Sequence, residues 1–139
     1  MQDRPTILRW PSHGDTVNRY DPSQTPDPNE WLELDEQERV VLVERNHRRA
    51  HIELPDITLH ATIHVVVENQ LASRDDPVVR ALARLIKEGL TRHDAVHANG
   101  SVVSEYIFDA LHLNDTPEGS RALYYAAIER LTAGKWRDG

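Results

Sequence analysis

Six of the eight histidines in this chain fall into three pairs, and within each pair the two residues are four positions apart. The pairs are His47 with His51, His60 with His64, and His93 with His97. Each pair lies in a segment with a helical pattern, where four residues span just over one turn, so both rings project from one helix face about 6 Å apart along the axis. This spacing is typical of metal ligands, and it predicts a fold in which helix faces share one interior.

Helix start and stop signals divide the chain after residue 34 into five segments. Asp35, with Glu38 three residues later, resembles a capping box. Asp76-Pro77 and Thr116-Pro117 each predict an N-cap residue followed by proline at the first helical position, and Gly89 predicts a helix end. The predicted helices cover about residues 35–49, 57–72, 76–89, 91–113 and 116–134. Because the connections are short and no alternation typical of a sheet occurs, we predict an all-α fold, a compact antiparallel bundle of about five helices.

The first 28 residues differ from the rest, because they hold five of the eight prolines and show no sustained helical or strand period. With 139 residues and 39% apolar content, the chain is long enough for one domain with a core and short for two. We therefore predict an irregular, proline-rich N-terminal arm over residues 1–30 and a single helical domain over residues 31–139.

The composition excludes several kinds of site and partner. Cysteine is absent, so any metal must be held by nitrogen and oxygen, and disulfides and thiolate sites are excluded. A formal net charge of −7 argues against nucleic-acid binding, which depends largely on neutralising backbone phosphates. The apolar runs are far shorter than a membrane span, and Met1 to Trp10 lack a signal-peptide core, so we expect no membrane partner and a cytoplasmic location.

A helical wheel indicates that the middle histidine pair faces the interior. His60, His64 and Glu68 occupy one sector, as a ladder of two imidazoles and a carboxylate. Apolar side chains share that sector, namely Ile57, Ala61, Val67 and Leu71. The opposite side carries Thr58, Thr62 and Asn69. The three ladder residues are therefore predicted to be buried.

The other two pairs show the same pattern less fully. The third pair shares its helix face with small residues such as Gly100, which let another helix or a ligand approach, whereas Ala95 and Val102 are expected to point away. In the first pair, His47 shares its sector with apolar residues and is expected to face inward. His51 lies past the predicted helix end, so the wheel does not determine its direction.

Several imidazoles converging on one interior would be costly as bare groups, because buried polar atoms need partners and clustered protonated rings repel one another. A cation removes both costs, since it binds neutral imidazoles and a nearby carboxylate balances its charge. The predicted ligands are His60, His64, Glu68, His93 and His97, with His47 and His51 as further candidates. These donors exceed the four that one structural zinc needs, so the centre is plausibly dinuclear, and iron, zinc and manganese are the candidate divalent metals.

The histidine segments resemble an uncharacterised family of bacterial domains of unknown function. The matching elements are the first His-x3-His segment, a Leu-His-x3-His-x3-Glu-x-Gln segment from Leu59 to Gln70, the Asp76-Pro77 element and the last His-x3-His pair. The resemblance covers roughly residues 44–112. The resemblance implies a shared histidine-rich helical core, and because the family has no assigned activity it implies no reaction.

The sequence leaves three functions open and does not decide whether the protein is an enzyme. The first is a metal-binding helical bundle, similar in ligand type and spacing to hemerythrin-like di-iron proteins, that acts as a carrier, sensor or oxidase. The second is a zinc-dependent hydrolase with Glu68 or Glu44 as general base, although the chain carries no nucleophile motif. The third is a non-enzymatic protein-interaction module in which the core histidines are structural.

Overall fold

The computed structural model describes residues 19–50, 56–113 and 117–138, without the side chains of residues 107–113, 117, 118 and 120. These described ranges form helices and no strand, so the predicted all-α fold is confirmed. The helices are α1 (Pro28–Glu33), α2 (Glu36–Arg49), α3 (Ile57–Ala72), α4 (Asp76–Lys87), α5 (Arg92–Leu113), α6 (Pro117–Arg130) and α7 (Ala133–Asp138). The short helices α1 and α7 add to the five that the sequence predicts.

Local capping interactions start the longer helices where the sequence places them. At α2, the Asp35 carboxylate accepts a hydrogen bond from Glu38 N at 2.8 Å, and Glu38 Oε1 accepts one from Asp35 N at 3.0 Å, which completes the predicted capping box. Asp56 caps α3 by accepting from the backbone N–H three residues later at 2.9 Å. Thr91 Oγ1 does the same at α5, at 3.0 Å. Because each cap spans only four residues, local sequence is sufficient to predict it.

Two predicted boundaries are wrong. Helix α4 includes Asp76, and Asp75 occupies the capping position instead. The fifth predicted helix ends at Arg130 and does not continue toward Gly134. Thr132 interrupts it and starts α7, since its hydroxyl accepts a hydrogen bond from the backbone N–H three residues later at 3.1 Å.

Helix α5 is the centre of the bundle. It packs against α3, α4, α6 and α7, while α3 also packs against α1 and α2. Ala95 and Val102 are buried although the wheel places them away from the histidines, because a wheel of one helix does not show that neighbours surround it. At Gly100, a Cβ atom would lie 3.0 Å from Cγ2 of Ile63, so this glycine allows the close approach of α5 to α3.

Two apolar clusters fix the rotation of α3 about its axis. One contains Val67 of α3 together with side chains of α4, α5 and α6. The other contains Ala61 and Val65 of α3 with Val43 of α2 and Trp31 of α1. Because α3 is packed on both sides, its histidines are held between α2 and α5.

Residues 19–27 contain no helix or strand, whereas residues 28–30 of the predicted arm belong to α1. Tyr20 is nevertheless buried against Trp31, with ring centroids 5.7 Å apart. Arg92 of α5 also holds this segment, because its Nη1 donates a hydrogen bond to Pro22 O at 2.9 Å. Residues 19–27 are thus attached to the helical body, residues 1–18 lie outside the described residues, and the division at residue 30 stays a prediction.

Within the described ranges, no helix is both long and apolar enough to span a membrane. The cytoplasmic location and the absence of nucleic-acid binding stay predictions from the sequence.

Candidate metal centre

Three helices bring four of the predicted metal ligands together. Helix α2 contributes His47, α3 contributes His60 and His64, and α5 contributes His97. One ring nitrogen from each of these residues lies within 4.8 Å of the others. Ring centroids are 4.7 Å apart for His47 and His60, and 4.6 Å apart for His64 and His97. This histidine centre, defined by these four residues, is compatible with metal binding.

Two ring nitrogens of the histidine centre lack the partners that buried polar atoms normally have. His47 and His64 are 0% and 2% exposed, and within the described structure the Nε2 atom of each is buried without a hydrogen-bond partner. The Nε2 atoms of His60 and His97 lie 3.3 Å apart. Because an unpartnered buried polar atom costs about 1–3 kcal/mol, two such nitrogens in one cluster are compatible with a bound ligand.

A hydrogen bond at Nδ1 of His47 determines which of its two ring nitrogens carries the proton. Nδ1 lies 2.8 Å from Val43 O, the carbonyl one turn earlier in α2. Since a carbonyl only accepts, Nδ1 carries the hydrogen and donates it, and in the neutral ring Nε2 keeps a lone pair. Metal-binding histidines are oriented by hydrogen bonds of this kind.

Tyr20 determines the protonation of His64 in a similar way. Its hydroxyl oxygen lies 2.5 Å from Glu68 Oε2 and 3.3 Å from His64 Nδ1. Burial and the adjacent Glu68 carboxylate raise the pKa of Tyr20, so the hydroxyl keeps its proton and donates it to Glu68. The hydroxyl oxygen is then available to accept from His64 Nδ1. His64 Nε2 therefore also keeps a lone pair.

Glu68 lies on the predicted face of α3, but its carboxylate is hydrogen-bonded to Arg92 and Tyr20. Arg92 donates two hydrogen bonds of 2.9 Å to it, from Nη2 to Oε1 and from Nη1 to Oε2. Tyr20 donates to Oε2 as well, and the carboxylate is buried. Glu68 thus supports His64 through Tyr20, and it does not join the group of four histidines.

Tyr20 and Arg92 are the residues of this site that sequence reasoning missed. Arg92 directly precedes His93, but nothing in the chain pairs it with a carboxylate 24 positions earlier. Tyr20 lies in a segment without any period and 44 positions before His64. No local sequence pattern predicts the role of Tyr20 or of Arg92, because their contacts form only when α3, α5 and the arm pack together.

Among the described residues, Glu68 and His93 are the predicted ligands that the group of four does not include. His93 lies beside His97, with ring centroids 4.3 Å apart, and its Nε2 is also buried without a hydrogen-bond partner within the part of the chain that the structure describes. Glu44 Oε2 accepts a hydrogen bond from Thr58 Oγ1 at 2.6 Å, which connects α2 to α3. His51 lies outside the described residues.

Burial keeps the rings of His60, His64, His93 and His97 neutral near pH 7. Burial, together with repulsion from neighbouring imidazoles, lowers the pKa of His64 to about 2 and the pKa of His97 to about 4. Burial also lowers the pKa of His60 and that of His93. Because a metal ion binds the neutral imidazole, these pKa shifts favour metal binding at neutral pH.

The metal-free protein should lose stability as the pH falls below about 6.5, the pKa of an unfolded histidine. Between that pH and the lowered pKa values of His64 and His97, the unfolded chain binds protons that the folded chain does not. The free energy of unfolding then falls by at most about 1.4 kcal/mol per pH unit for the buried His64, and by less for the half-buried His97. Urea denaturation of chelator-treated protein between pH 8 and pH 5 measures this slope.

A control for this pH dependence is His64→Phe, which keeps a ring at the position and removes its titration. The variant should show a shallower slope than the parent over the same pH range. A free energy of unfolding that is equal at pH 8 and pH 5.5 in the parent protein would contradict the burial of neutral rings.

Comparisons with known proteins found no match, whether to a protein-family model, a curated protein or a solved structure. The resemblance to an uncharacterised bacterial family stays a prediction. What the histidine centre binds is therefore inferred from its own geometry and chemistry.

Proposed function

We propose that the protein binds one divalent metal ion at the histidine centre, through His47, His60, His64 and His97. The observation that carries this proposal is that one ring nitrogen from each of these four residues lies within 4.8 Å of the others, while the Nε2 atoms of His47 and His64 are buried without a partner among the described residues. Buried polar groups with a purely structural role are normally bonded to the protein or to water. Here Val43 O and the Tyr20 hydroxyl orient two of the rings so that their Nε2 atoms keep lone pairs.

The distances within the histidine centre suit a tetrahedral site. Two nitrogens bound to zinc at about 2.0–2.1 Å lie about 3.3 Å from each other at a tetrahedral angle. The Nε2 atoms of His60 and His97 are 3.3 Å apart. A hydrogen bond between the two rings would give a similar distance, but it would leave the nitrogens of His47 and His64 unpartnered. Because the four nitrogens spread over as much as 4.8 Å, binding would draw the outer ones closer.

The donors favour one ion, and they favour zinc or iron over manganese. Four imidazole nitrogens complete a tetrahedral zinc site, and imidazole also suits iron, whereas manganese prefers carboxylate oxygens. Glu68, considered from the sequence as a ligand, is held by Arg92 and Tyr20. Among the described residues, the arrangement supports a mononuclear nitrogen site more than a dinuclear one.

The other functions considered from the sequence receive less support. Glu68 and Glu44, the candidate general bases of a zinc hydrolase, are bonded to Arg92 and Thr58 respectively. An interaction module with structural histidines does not account for the unpartnered nitrogens. We therefore propose metal binding and assign no reaction.

Plasma mass spectrometry of untagged protein, purified without chelator, should find about one equivalent of zinc or iron per chain. His64→Ala and His97→Ala each remove one nitrogen donor and should lower metal affinity by at least about tenfold. His112→Ala is the matched control, because His112 belongs to none of the histidine pairs, and it should keep the parent stoichiometry.

Circular dichroism of each variant shows whether the helices are intact, so that loss of metal is not confused with unfolding. Folded parent protein that stays metal-free after dialysis against zinc and against ferrous iron would overturn the proposal. Equal metal content in the parent, His64→Ala and His97→Ala would place the metal elsewhere in the chain.

A further inference from the structure

A cavity of about 390 Å³ lies beside the histidine centre. The rings of His60, His64 and His97 line one part of it, whereas the fully buried His47 does not. The cavity volume falls in the range of roughly 300–1,000 Å³ that is typical of small-molecule sites. A ligand in this cavity would thus reach the same three rings that the proposed metal ion uses.

The remaining wall of the cavity is mainly apolar. Its large side chains are Leu59, Ile63 and Val96. Val96 is fully buried and forms inner wall, whereas Leu59 is 58% exposed and lies at the mouth. A large apolar side chain left exposed at the mouth of a cavity favours contact with an apolar part of a ligand.

The charge of the centre favours an anionic head group. Four neutral imidazoles leave the charge of a divalent ion unbalanced. The nearby carboxylate of Glu68 does not balance it, since Arg92 is bonded to both of its oxygens. Asp56, which is exposed and also lines the cavity, would repel a second negative charge placed near it. A single negative charge at the inner end therefore fits better than a dianion.

We infer that the cavity binds a small monocarboxylate with an apolar tail. The carboxylate lies toward His60, His64 and His97 and adds to the four nitrogens as a further ligand of the metal ion, and the tail lies along Leu59 and Ile63. This inference rests on the proposed metal binding, because without the ion the inner end of the cavity holds neutral rings. The inference adds to the proposed metal binding the chemical class of a ligand that the centre would bind.

The test uses the full-length protein loaded with cobalt(II), whose visible absorption reports changes at the metal. Acetate and hexanoate are titrated separately, and cobalt content is measured on the same samples. Both anions should change the absorption spectrum, and hexanoate should bind at least tenfold more tightly. The expected gain is this large because each methylene group removed from water contributes about a fourfold increase in affinity.

Leu59→Ser tests the contact with the tail, and Leu123→Ser is its matched control. Leu59 and Leu123 are 58% and 60% exposed, but only Leu59 lines the cavity. Leu59→Ser should lower the preference for hexanoate over acetate by at least threefold without changing cobalt content. Leu123→Ser should leave both the preference and the cobalt content unchanged.

The outcomes separate this inference from the proposed function. Stoichiometric cobalt binding with an unchanged spectrum in both titrations would overturn the inference and leave metal binding in place. Equal affinities for acetate and hexanoate would overturn the assignment of an apolar tail. Absence of cobalt binding by folded protein would overturn both the inference and the metal-binding proposal.

Discussion

Arg92→Met is expected to lower the free energy of unfolding by about 3–5 kcal/mol, the usual cost of removing one partner of a buried ion pair. The Glu68 side chain is 1% exposed and the Arg92 side chain is 9% exposed, and two hydrogen bonds of 2.9 Å join them. Without the guanidinium group, Glu68 would be a buried carboxylate whose one remaining hydrogen-bond partner among the described residues is Tyr20. Arg92 also holds the arm through Pro22 O, so the variant should loosen residues 19–27. Urea denaturation at pH 7.5 measures the change.

Arg80→Met is the matched control for Arg92→Met. Arg80 forms ion pairs with Asp76 and Glu129, but its side chain is 57% exposed, so its removal should cost less than about 1 kcal/mol. The double variant Arg92→Met, Glu68→Gln should recover part of the lost stability, because it removes the buried charge and leaves an acceptor for Tyr20. Equal losses for Arg92→Met and Arg80→Met would contradict the importance of burial.

Zinc is expected to stabilise the metal-free protein strongly. If the free zinc concentration is about 1,000 times the dissociation constant, binding to the folded state alone adds about 4 kcal/mol to the free energy of unfolding. For a chain of this length, that corresponds to an increase in Tm on the order of 10 °C. Differential scanning calorimetry of chelator-treated protein, with and without zinc, measures the increase, and excess chelator should reverse it.

Variants of the centre and of the core separate metal binding from general stability. His64→Ala and His97→Ala should lose most of the zinc-dependent increase in Tm. Val78→Ala removes buried volume from the apolar cluster formed by α3, α4, α5 and α6. It should lower the Tm of the metal-free protein but keep the zinc-dependent increase in Tm. A parent Tm that is independent of zinc and of chelator would contradict the metal centre.

The boundaries of several helices depend on interactions between residues a few positions apart. The capping box of Asp35 and Glu38 joins groups within one helical turn, and the predicted span of α3 agrees with the structure for the same reason. The end of α6 was predicted wrongly, because Thr132 acts as a cap within a segment that otherwise continues the helical pattern. A continued helix and an interrupted one differ little in free energy, so tertiary packing decides which of the two forms.

The sequence by itself determined the helical class and the helix faces that carry the histidines, because capping and the 3.6-residue period are local properties of the chain. Only the tertiary structure decided which of those residues meet. Packing of α3 between α2 and α5 brings His47, His60, His64 and His97 together, although 50 positions separate the first from the last. The same packing places the Glu68 carboxylate where it bonds to Arg92 and Tyr20 and not among the histidines. A carboxylate on a given helix face pairs with the cation that helix packing brings nearest to it. A helical wheel cannot predict that cation, because it contains no information about the neighbouring helix.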